Sequence, residues 1–234
     1  MSKFRRFLFP PLALPFLILI TIFFVLVFVF FSGAVLMAFD RLGLPPSVAV
    51  TLFTFALVGS FINIPVAETV TYEPVIRVRR GFFGMLYPVP YFDWEERKTI
   101  IAVNVGGALV PLSIVIYELV RIIRIGDYTL LLNTLLAVLI ASLLSNAVAR
   151  PVRGLGIAMP TLFPPLIAVL LGWLLGDGNP TLVAYVSGTL GVLIGADLMN
   201  LEKIKRLGAP MVSIGGAGTF DGIFLAGVIA VLLV

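Results

Sequence analysis

The sequence predicts an all-α integral membrane protein, a single polytopic domain over residues 1–234 with about seven transmembrane helices. Three observations carry that expectation. Hydrophobic residues make up 60% of the chain and charged ones only 12%, about half the charged share of an ordinary soluble domain. The apolar residues gather into stretches near the length of about 20 that a bilayer span needs. The basic residues concentrate in alternate loops, the pattern by which a membrane chain sets its orientation.

The first stretch, about 12–38, follows the basic segment Met1–Arg6. It is much longer than the apolar core of a cleaved signal, about 7–15 residues, and is expected to stay as an anchor. The further spans are about 44–66, 99–121, 128–149, 158–176, 181–199 and 210–234. With the N-terminus cytoplasmic, the cytoplasmic segments hold Lys3, Arg5, Arg6, Arg77, Arg79, Arg80, Arg97, Lys98, Arg150, Arg153, Lys203, Lys205 and Arg206, which is 13 of the 16 Lys and Arg. Only Arg41, Arg121 and Arg124 fall outside, and the C-terminus lies outside with them. Adding or removing a span upstream would scramble this asymmetry, so count and orientation support each other.

Residues 67–98 form the one sizeable polar insertion. β-branched and aromatic residues alternate on either side of Gly81–Gly84, which predicts a short cytoplasmic β-hairpin or amphipathic flap. Tyr87, Tyr91, Phe92 and Trp94, beside Arg97 and Lys98, suit the headgroup region as interfacial anchors. Elsewhere Gly and Pro interrupt the spans: Pro45-Pro46, Asn63 with Pro65, Asn104 to Gly107 with Pro111, and GLGIAMPTLFPP from Gly154 to Pro165. These predict broken helices, the last one a re-entrant segment, because proline removes a ladder donor and glycine weakens a helix.

Neither cysteine nor histidine occurs. That excludes disulfides, thiol nucleophiles, haem ligation, nearly all zinc and copper sites and any imidazole base. No cofactor and no metal are expected. The net charge of +4 points to membrane orientation rather than to nucleic acid, and the bilayer is the expected partner.

A charged side chain in hydrocarbon costs about 2.5–3.5 kcal/mol even on lenient scales, so acids within spans are the natural functional candidates. Glu118 precedes Arg121 by one helical turn and is accounted for by an ion pair at the outer interface. Asp197 sits at the C-terminal end of the sixth span, where the helix dipole disfavours an anion. Asp221 follows the glycine-rich run at Gly215, Gly216, Gly218 and precedes Gly222, with Pro210 upstream. The proline and glycines disfavour a continuous helix there, so Ser213 to Gly218 is expected as irregular strand or loop, Thr219 as helix cap and Asp221 in the first turn of a short terminal helix. Irregular backbone is tolerated at membrane depth only in protein or beside a wet cavity. A polar cavity is therefore predicted around Asp197 and Asp221, with Asn63, Asn104, Gly216, Gly218 and Thr219 lining it or meeting a substrate; Asn146 falls at the same depth. Two carboxylates in one low-dielectric site share a proton, the arrangement that water activation needs.

The stretch SGTLGVLIGADLMNLEKIKRLGAPMVSIGGAGTFDGIFLAGVIAVLL, with PVRGLGIAMPTLFPPLIAV before it, resembles the prokaryotic membrane family catalogued as domain of unknown function 1614. That resemblance implies no activity. More distantly, the last two spans are similar to the catalytic pair of presenilin and signal peptide peptidase intramembrane aspartyl proteases. In that group one Asp precedes a cytoplasmic connection and a second follows a Gly-x-Gly-Asp motif. The resemblance implies catalytic roles for Asp197 and Asp221 and a transmembrane peptide as substrate. Ala196 stands where that group carries Tyr, and Thr219-Phe220 intervene between the glycines and Asp221. The same aspartates also suit a cation- or proton-coupled transporter or channel, and the fold alone suits a noncatalytic scaffold.

Overall fold

A computed structural model of the chain describes residues 13–79, 89–152, 156–205, 210–216 and 222–234. Helix α1, Ala13–Arg41, is the longest, because nothing in its apolar run breaks the ladder. Pro45 and Pro46 end the connection and start α2, Pro46–Gly59, with proline in the first turn where a missing N–H costs nothing. The chain then becomes a hairpin of two long strands, β1 (Asn63–Arg79) and β2 (Val89–Asn104). Their antiparallel register runs from Asn63 opposite Asn104 to Arg79 opposite Val89, with an irregularity between Pro65 and Ala67. Pro65 has no N–H to give the ladder, which accounts for the irregularity there.

Helix α3, Val110–Ile125, is entered through a π-helical turn, Val105–Leu109. Gly126, with φ +80°, closes it in the left-handed conformation. Helix α4, Tyr128–Val148, starts on the side chain of Asp127, which accepts from the Leu130 N–H. The small strands β3 (Arg150–Val152) and β4 (Gly156–Ala158) pair antiparallel. Helices α5 (Phe163–Leu175) and α6 (Pro180–Val192) follow, and α6 continues through a second π turn, Leu193–Asp197, into a 3-10 turn, Leu198–Asn200. A short α7 (Leu201–Lys205), strand β5 (Met211–Ile214) and α8 (Gly222–Leu233) complete the described chain. β5 lies parallel to β2, Ile100 opposite Met211 and Val103 opposite Ile214, giving a sheet of order β1-β2-β5.

The chain is mostly helical, and among the described residues three helices are long and apolar enough to cross a membrane: Leu14–Arg41, Tyr128–Val148 and Pro180–Lys203. Three shorter apolar helices accompany them, Pro46–Gly59, Phe163–Leu175 and Gly222–Leu233. The expectation of an all-α fold is corrected by the two sheets. The hairpin takes residues 63–66 and 99–104, which the apolar pattern assigned to spans, because their β-branched residues pair across the ladder between the end of α2 and the start of the next helix. Residues 211–214, assigned to the last span, pair with β2 instead. Where described, the Gly154–Pro165 region holds β4 and then a turn that leads into α5.

Helix α6 is the axis of the packing, with ten of its thirteen residues buried. The most apolar stretch of α1 is, in contrast, 0% buried. The guanidinium of Arg41 donates to the Val231 and Leu232 carbonyls, and that of Arg121 to the Leu42 carbonyl. These bonds gather the C-terminal ends of α1, α3 and α8 at one end of the bundle. At the other end lie the sheet, the two π turns and the C-terminus of α4.

Candidate functional site

The π turn that carries Asp197 exists because its loosened carbonyls find donors. Asn200, fully buried, gives its Nδ2 to the Gly195 carbonyl at 3.1 Å and the Ala196 carbonyl at 2.9 Å. Asn146 on α4 donates to the same Gly195 oxygen at 3.0 Å, and Lys203 Nζ donates to Asn200 Oδ1 at 2.9 Å. Buried carbonyls left unpaired would each cost about 1–3 kcal/mol, so these side chains are what permits the irregular turn. Glycines bring the neighbours close. A Cβ at Gly195 would overlap the Ser142 carbonyl oxygen, and one at Gly191 would come within 2.6 Å of the Ala141 Cβ.

Asp197, partly buried, lines a cavity of about 350 Å³. Its other walls are Ile157 of β4 and Met159 just beyond it, Thr161 and Pro164 at the start of α5, Val192 of α6 and Ala196 of the π turn, and Gly222 and Leu225 of α8. Among the lining side chains only Thr161 and Asp197 are polar. The proline-rich segment singled out in the sequence forms one side of it. Asp221, Gly218 and Thr219 lie outside the described residues, but Gly222, the residue after Asp221, is on the cavity wall. Helices α6 and α8 pack directly: Gly227 leaves room for the Tyr185 ring and the Thr189 hydroxyl, and Gly188 lies against Ala226.

Asn63 and Asn104 are brought together, though not onto that wall. Asn104, fully buried, donates from Nδ2 to the Ser60 carbonyl at 2.7 Å and to Asn63 Oδ1 at 3.0 Å, while its own Oδ1 accepts from the Gly107 N–H at 2.8 Å. Ser213 Oγ donates to Asn63 Oδ1 at 2.6 Å. One polar cluster thereby ties the end of α2, the root of the hairpin, the first π turn and β5. Beyond β5 the chain turns through Gly215 and Gly216, with φ +84° and +90°, a conformation in which glycine has no Cβ penalty. A Cβ at Gly107 would overlap the Gly215 carbonyl oxygen, so glycine is required on both sides of that approach.

Glu118 pairs with Arg121 at 3.2 Å as the spacing predicts, its carboxylate fully buried and the guanidinium partly exposed. The Tyr185 and Thr189 hydroxyls are buried within reach of each other, and that of Ser142, beside Gly195, is buried with no hydrogen-bond partner among the described residues. Two residues of the site, Asn200 and Ser213, escaped the sequence reading. Asn200 follows Asp197 by three positions, a spacing that announces a helix interior only once the π turn is known. Ser213 carries no local signal, because its partner is 150 residues away.

The family described as Protein of unknown function (DUF1614) matches residues 57–233. No curated protein and no solved structure matches the chain.

Proposed function

The chain belongs to the DUF1614 family, and we propose that it is a seven-span protein of the cell membrane, N-terminus cytoplasmic, acting as an intramembrane aspartyl peptidase through Asp197 and Asp221. What supports the membrane part is the inverted distribution of polarity. Large apolar side chains are exposed along α1, for example Phe30 at 82%, while Glu118, Asn104, Thr134 and Asn200 are fully buried. Lipid, not water, suits such a surface. The sharing of one end by α1, α3 and α8 fits the alternation that the arginines and lysines imply.

The single observation that carries the catalytic part is Asp197 on the wall of a cavity that it shares with Gly222, next in sequence to Asp221. In this reading one carboxylate takes a proton from water as the oxygen attacks a peptide carbonyl carbon. The other protonates the carbonyl oxygen; collapse of the resulting diol breaks the C–N bond and passes a proton to the amine. The apolar side chains on the wall suit the side chain of a membrane-embedded peptide. Gly195 and Ala196 carbonyls are held by asparagine donors, which leaves them poorly placed to ligate a cation.

The test is cleavage of transmembrane peptides by the reconstituted chain, read by mass spectrometry, with Asp197→Asn and Asp221→Asn alongside. Both substitutions are expected to abolish cleavage; wild-type rates in either remove that residue from the mechanism. Proton or solute flux abolished by the same changes, without cleavage, would establish transport instead. Neither activity would leave a scaffold.

A further inference from the structure

A π turn is a one-residue insertion into a helix, and each residue of a regular helix advances about 100° around the axis. The insertion therefore changes which way everything beyond it faces. Asp197 comes eight residues after Thr189 and twelve after Tyr185. In an uninterrupted helix those separations would turn it about 80° from Thr189 and about 120° from Tyr185. With one residue absorbed by the π turn they become about 20° each. Tyr185 and Thr189 are the residues that pack against Gly227 of α8, and Val192, on the same side, shares the cavity with Asp197 and Gly222. The irregularity thus carries the carboxylate onto the α8-facing side of its helix, where a straight helix would present Ala196.

A π turn reverts to the more stable α register unless its loosened carbonyls are occupied. Here the Gly195 oxygen is taken by both Asn146 and Asn200, and the Ala196 oxygen by Asn200. We propose that Asn200, assisted by Asn146, is a positioning residue: it holds the π turn in place and so aims Asp197 at the cavity beside the start of α8. For its functional meaning this rests on the peptidase reading, but the register it assigns is measurable without any activity.

Because the chain has no cysteine, the full-length protein carrying Asp197→Cys together with Gly222→Cys, or with Leu225→Cys, can be oxidised in lipid and its cross-linking rate measured. The double variants are expected to form a disulfide. Adding Asn200→Leu is expected to slow it at least tenfold, with elution on size exclusion unchanged. Deleting Ile194 in that background is expected to restore it, since removal of one residue returns position 197 to the α8 side in a straight helix. Undiminished cross-linking in Asn200→Leu overturns the role of Asn200. Loss without recovery on deletion overturns the register account, and absence of a disulfide in both parent pairs overturns the placement of Asp197. In the cleaving enzyme, Asn200→Leu should lower kcat with KM little changed, and the deletion should recover it. Absence of cleavage in the wild type, with the cross-linking series as expected, would sink the peptidase reading and leave the positioning intact.

Discussion

The hydroxyl of Ser213 donates a 2.6 Å hydrogen bond to Asn63 Oδ1, across 150 residues of chain. Through it the strand that leads into the glycine turn is tied to the root of the hairpin, and through Asn104 to the π turn at the head of α3. The bond joins the two polar features, the hairpin and the glycine-rich run, that look unrelated along the chain.

Asn104→Ala removes the donor to the Ser60 carbonyl and the acceptor for the Gly107 N–H at a fully buried point. The expected loss is about 2–4 kcal/mol, with Ser213→Ala costing about 1 kcal/mol because only one hydrogen bond goes. Thermal unfolding in detergent, followed by fluorescence, should rank them in that order; equal Tm values for the two would contradict the cluster.

Gly107→Ala places a methyl group on the Gly215 carbonyl oxygen, and the expected cost is about 1–3 kcal/mol or failure to fold. Gly33→Ala meets nothing within 4 Å in the middle of α1, so it should leave Tm unchanged or raise it by the difference in helix propensity, up to about 1 kcal/mol. A paired expression and melting comparison checks both.

Arg121→Ala leaves the fully buried Glu118 carboxylate without its cation. Breaking such a pair from one side costs about 3–5 kcal/mol, whereas Glu118→Gln, which removes the buried charge itself, should cost clearly less. Arg121→Lys is expected to fall between, since the single nitrogen Nη1 serves both Glu118 and the Leu42 carbonyl and a lysine ammonium on its different stem keeps the charge without that reach. Denaturation midpoints that put the glutamine variant lowest would refute the assignment.

Single cysteines at Gly43 and at Arg150 in the cysteine-free chain should react with an impermeant maleimide from opposite faces of a sealed vesicle. Gly43 follows Arg41 at the end of the bundle where α1, α3 and α8 finish, and Arg150 is in β3, beyond the C-terminus of α4. Labelling of both from one side would overturn the proposed orientation.

Composition was enough to indicate a mostly helical chain with apolar helices long enough to cross a membrane, and the alternation of β-branched and aromatic residues was enough to indicate the hairpin. Such properties depend on local solvation: each apolar stretch and each arginine responds to its surroundings largely independently of the rest of the chain. The Glu118–Arg121 pair was readable for the same reason, as one turn of helix separates the partners. The strand at 211–214, the π turns, Asn200 as a carbonyl donor and the association of Asn63 with Ser213 could not be read that way. Each exists because packing brings distant backbone together, leaves particular carbonyls unpaired, and rewards whichever side chain happens to reach them. Helix ends shifted for a related reason: residues 63–66 and 99–104 are apolar enough for a span, yet they found strand partners first.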